Sequence, residues 1–80
     1  MTATLAMPNG ANVLHVGAQL GRVYLWAEVN PDAPTVERSF MIIGTGGPVP
    51  TDSIYQGTAF VSDPDYTYDL IWHVYEVFPN

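Results

Sequence analysis

Apolar and polar residues alternate with a period of two along much of the chain, and Pro and Gly break the alternation at short intervals. A period of two sends successive side chains to opposite faces, so the pattern reads as a series of half-buried β-strands. The intervals between breaks are rich in Val, Ile, Tyr, Phe, Trp and Thr, which suit a pleated surface. Six strands are predicted: Thr2 to Met7, Val13 to Gln19, Arg22 to Asn30, Val36 to Gly44, Ile54 to Val61 and Tyr68 to Phe78.

The third strand is the clearest, with Val23, Leu25, Ala27 and Val29 alternating against Arg22, Tyr24, Trp26 and Glu28. In the second, Leu14, Val16 and Ala18 share one face and His15, Gly17 and Gln19 the other. Leu20-Gly21 reads as a tight turn between them. Asn30 to Pro34 reads as a loop, because its two prolines lack N–H donors and restrict the residues before them. Gly57 marks a bulge in the fifth strand. Thr51-Asp52-Ser53 offers helix-capping side chains, so the alternative to an all-β fold is a β-rich α+β domain with one short helix near residues 50–55. No later segment sustains an apolar period near 3.6. The expectation is one all-β domain over residues 1–80, about six antiparallel strands in a meander, folded as a small sandwich or a partly open barrel.

At 80 residues the chain buries only about 60% of the surface that its unfolded form exposes, so the core is modest. It contains no cysteine, which removes disulfides, thiolate metal sites and nucleophilic thiols. A partner subunit is the remaining stabiliser, and a homodimer is the expectation for a chain this small. Eight carboxylates stand against two arginines and no lysine, a net charge of −6. Nucleic acids and anionic membranes require several cations to neutralise phosphates, and only Arg22 and Arg38 exist to do so; neither ligand is expected. No apolar run approaches a membrane span. The opening MTATLAMP lacks the basic and apolar regions of a signal peptide, so a cytoplasmic protein is expected.

Gly44-Thr45-Gly46-Gly47 resembles an anion-cradling loop. A phosphate loop needs Lys-Ser/Thr and a helix after its last glycine, whereas Pro48-Val49-Pro50 follows here, and the bland reading is a turn. Its functional alternative takes Gly44, Thr45, Gly46 and Gly47 with Arg22 or Arg38 as a nucleotide site. His15 and His73 are the only imidazoles; on a strand His73 and Glu76 point to opposite faces, and no metal site is expected. Asp63, Asp65 and Asp69 match three positions of a calcium loop whose turn glycine and terminal glutamate are missing. The better functional reading of residues 63–69 is a recognition loop in which Tyr66 and Tyr68 supply contact area and Asp63, Asp65 and Asp69 supply charge; its bland reading is a solvated connection. Trp26 and Glu28 lie opposite the aliphatic stripe of the third strand and join that partner-binding set. Ser39, Ser53 and Ser62 lack any nucleophile signature, so neither a catalytic residue nor a cofactor is expected.

The stretches Met7 to Val16, Val23 to Pro31, Ile43-Gly44-Thr45-Gly46, Gly57-Thr58 and Ile71 to Glu76 resemble, in order and spacing, a family of small uncharacterised domains of bacteriophages and prophages. Members usually carry a more basic turn where this chain has Pro8-Asn9-Gly10, a departure that fits its acidity. The resemblance implies phage origin and carries no activity over to particular residues. Together with the charge, it leads to the expectation of a non-enzymatic phage accessory protein in the host cytoplasm. Such a protein binds and inhibits a host protein with a basic surface, such as a CRISPR-type defence complex. The alternatives are a sponge for a small nucleotide signal and a minor virion or assembly component.

Overall fold

The computed structural model describes residues 1–62, 64–65 and 67–78. Among them are six strands and no helix: β1 (Thr2–Pro8), β2 (Asn12–Gln19), β3 (Arg22–Glu28), β4 (Thr35–Gly44), β5 (Ser53–Val61) and β6 (Leu70–Val77). The all-β expectation therefore stands, and the helix near residues 50–55 does not form. Asp52 instead takes a left-handed turn (φ 51°) that delivers the chain into β5. The strands are all paired antiparallel, but they are not joined as a simple meander. A four-stranded sheet has the order β1-β4-β6-β5, and β2 and β3 form a separate hairpin.

The hairpin turns on Leu20 and Gly21, both at positive φ (53° and 75°). Two left-handed residues in a two-residue loop match the twist of the flanking strands, and glycine takes the second position without strain. One register shift corrects the predicted faces of β2: Val13 pairs with Ala27 and His15 with Trp26, leaving Leu14 as an extra residue. Leu14 is expelled to solvent at 61% exposure, and Val13, Val16 and Ala18 occupy the inner face. Val29 falls just beyond β3 and is likewise exposed.

The hairpin lies against the inner face of the four-stranded sheet, closest to β5. That close approach depends on Gly57, the predicted bulge, where the register slips between Tyr55 and Gly57. A Cβ there would sit 2.7 Å from the Val16 Cβ. Val16, Met7, Ala11, Phe40, Ala59 and Val74 form the buried core, flanked by Val13, Val23, Leu25 and Ile42. The sandwich is closed along the β5/β2 side and open between β3 and β1.

At one end of the sheet the inner layer also holds ions. Arg38 donates from Nε and Nη2 to the two carboxylate oxygens of Glu76, each at 2.7 Å, and from Nη1 to the Ala11 carbonyl at 2.5 Å. Gln56 Nε2 donates to Glu76 at 3.2 Å, so this buried carboxylate is fully partnered.

Candidate functional site

β4 and β5 both run antiparallel to β6 and flank it, so residues 45–52 must cross from one side of β6 to the other and return along its length. The crossing spans about 17 Å along the strand and about 10 Å across it, and eight extended residues reach at most about 27 Å. The two displacements combine to about 20 Å, so the segment is a strap with length to spare. It runs over the outer face. Thr45 Oγ1 lies 2.9 Å from His73 Nε2, and Gly47 lies so close to Ile43 that a Cβ would meet its side chain at 2.5 Å. His73 is held from its other side by Thr58 Oγ1 at 2.9 Å from Nδ1, and Thr58 in turn bonds the Tyr55 hydroxyl. Pro48 and Pro50, which lack N–H donors, suit a connection outside the ladder. The glycine stretch thus reads as crossover chemistry, the bland alternative, and its last two glycines lie in the strap.

Where the strap leaves β4, four segments converge: the end of β4, the start of β6, the end of β5 and the tip of the β2/β3 hairpin. They enclose a concavity of about 730 Å³, with Val23, Ile42, Val61, Leu70 and Trp72 on its apolar floor and Arg22 on its rim. A shallower depression of about 350 Å³ adjoins it, lined by Thr45, Tyr68, Asp69 and again Leu70 and Trp72. Trp72 lines both. Its ring lies over Gly44, its cross-strand neighbour, close enough that a Cβ there would meet it at 3.5 Å. An aromatic-floored concavity with charge on its rim has the composition of a recognition site.

The predicted partner-binding residues divide between two surfaces. Tyr68 and Asp69 stand at this open end, with Asp65 exposed in the same loop; Ser62 Oγ donates to Asp69 at 3.0 Å. Asp63 and Tyr66 lie outside the described residues. Trp26 and Glu28 are on the outer face of the hairpin, where Trp26 stacks at a tilt on His15 (centroids 5.2 Å apart) and near Tyr24 (6.4 Å). The nucleotide set divides too. Gly44, Thr45 and Arg22 border the open end, whereas Arg38 belongs to the ion pair at the opposite end, with three of its donors committed. The hydrogen bonds to Glu76 hold the Arg38 guanidinium pKa above its ordinary value, against the opposing pull of burial, and Arg38 cannot serve as the anion ligand of that set.

Sequence reasoning missed the apolar floor. Its signal was present in β6, where Leu70, Trp72, Val74 and Glu76 share a face and Leu70 and Trp72 fall at the strand's beginning. Also missed was the concentration of Glu28, Asp32, Glu37 and Asp52 at the far end of the sandwich, which the strand order brings together.

A family profile described as Domain of unknown function (DUF7352) matches residues 1–80. Comparison with curated proteins and with solved structures gives no match.

Proposed function

We propose that this chain, which belongs to the family described as Domain of unknown function (DUF7352), works by binding a protein partner that presents a basic surface. One observation carries the reading. With Arg38 neutralised against buried Glu76, every other carboxylate among the described residues (Glu28, Asp32, Glu37, Asp52, Asp65 and Asp69) is exposed, and Arg22 is the only other arginine. The outer surface is therefore more one-sided than the composition alone, because the fold withdraws one cation of two and one anion of eight. Such a surface speeds encounter with a positive groove and repels nucleic acid. The Trp72 concavity supplies what charge does not: apolar area at the centre of a contact, with Arg22 at its rim and Tyr68 and Asp69 in the depression beside it.

The resemblance to phage domains supports a finer form of this reading. The chain would be an accessory protein that occupies the nucleic-acid groove of a host defence complex and so inhibits it, without catalysis of its own. The test is capture of host proteins on the immobilised chain at low salt, run beside Trp72→Ala. The expected result is a nucleic-acid-handling protein retained by the wild type and lost at least about 30-fold on Trp72→Ala, the loss typical of a central aromatic contact. No retained protein, or equal retention by the variant, would remove the reading.

A further inference from the structure

The molecule is less compact than its length requires. Its radius of gyration is 13.6 Å, on axes of 44 × 27 × 16 Å, against about 11.6 Å for a compact chain of this length. It exposes 5643 Å², against about 4,800 Å² for a monomer of this mass. The excess is close to the roughly 800 Å² that each partner buries in a standard interface.

The sandwich is open between β3 and β1. A cleft of about 310 Å³ there is lined almost entirely by apolar side chains: Leu5, Val23, Leu25, Phe40, Ile42 and Val74, with Tyr24 at its edge. Leu5, on the inner face of β1, is 38% exposed although its neighbour Phe40 is 2% exposed. β1 is also an edge strand, pairing with β4 alone. Edge strands are usually blunted by charge, proline or a bulge; β1 has none of these before Pro8, and its register with β4 is unbroken.

The ladder fixes which backbone groups face outward. Met1 and Ile42 exchange both backbone hydrogen bonds. Antiparallel pairs alternate between bonded and non-bonded, so Ala3, Leu5 and Met7 bond inward to β4. Thr2, Thr4 and Ala6 direct their N–H and C=O groups to the open edge.

We propose that this edge is a self-association surface, and that two copies pair β1 against β1 across a two-fold axis at Thr4. The four-stranded sheets then join into one of eight strands. Thr4 faces Thr4, and Thr2 faces Ala6. Leu5 of each copy covers Ala3 of the other, closing both clefts. Charge selects a second copy over a basic partner here. No carboxylate occurs before Glu28, so two molecules of net charge −6 meet along an edge strand that carries no acid. An isologous strand pairing is also the contact that closes at two copies.

Solution mass and amide exchange test this together. The wild type is expected at twice 8.8 kDa, with the Thr2, Thr4 and Ala6 amides protected from exchange. Thr4→Pro removes an outward donor that β4 does not use, and Leu5→Glu places a charge in the seam. Both are expected at the single-chain mass with unchanged far-ultraviolet dichroism. If Thr4→Pro fails to fold, Leu5→Glu and the exchange of the wild type decide. A wild type of 8.8 kDa would overturn the proposal. So would a dimer whose Thr2, Thr4 and Ala6 amides exchange freely, since its interface would lie elsewhere.

Discussion

Arg38 and Glu76 meet in a two-pronged ion pair, both bridging distances 2.7 Å, across the inner faces of β4 and β6. The carboxylate side chain is 6% exposed and the guanidinium 19%. Removing one member strands the other in a partly dry site. A buried pair so broken loses about 3–5 kcal/mol, and the residual exposure of Arg38 brings the expectation to about 2–3 kcal/mol. Arg38→Met alone and Glu76→Leu alone should each lower the urea midpoint by that equivalent, and the double variant should recover most of it. A double variant as unstable as the sum of the singles would show that the pair is not the reason. Because the Arg38 pKa is raised, the stability it contributes is complete below the ordinary arginine pKa and is lost only above it, so this guanidinium adds no pH dependence near neutrality.

Gly57 is where the two layers touch. An added methyl would stand 2.7 Å from the Val16 Cβ and 2.9 Å from its Cγ2, and overpacking of this kind costs about 1–3 kcal/mol. Gly57→Ala should destabilise by that amount in thermal or urea unfolding. Val16→Ala, destabilising alone, should cost less in the Gly57→Ala background, since it makes the room the methyl needs. Additive losses would mean that the layers do not meet at this point.

His73 ties the strap down through Thr45. His73→Phe removes both threonine contacts, each worth about 1 kcal/mol at most, and leaves the apolar outer face intact. The expected effect is local: faster amide exchange at Gly46, Gly47 and Val49, with a global unfolding midpoint nearly unchanged. A large fall in that midpoint with no change in strap exchange would place the role of His73 in the core of the fold.

Much of this fold was legible because short-range chemistry decides it. Alternation in β3, the Leu20-Gly21 turn and the Gly57 bulge are each set by a few neighbouring residues. What was not legible depends on pairs distant in sequence. Leu14 looked like a core residue until a register slip against β3 turned it outward, and a slip is a property of two strands. Arg38 looked available to a ligand because its partner Glu76 lies in the last strand. The glycine stretch was readable as irregular, but its path over His73 follows from β4 and β5 flanking β6, which alternation alone does not specify. The binding surface was half read: the Asp/Tyr loop was singled out for its charge, while the Trp72 floor beside it emerges only when four strand ends meet.

The most direct test of the binding account is the salt dependence of capture. The chain is immobilised, host lysate is passed over it after nuclease treatment, and retained protein is quantified as ionic strength rises. An acidic surface docking on a basic groove predicts a retained nucleic-acid-handling protein whose binding falls steeply between low and high salt. It should fall further when Asp65→Lys and Asp69→Lys are introduced together. Retention that is indifferent to salt and to those reversals would contradict the account.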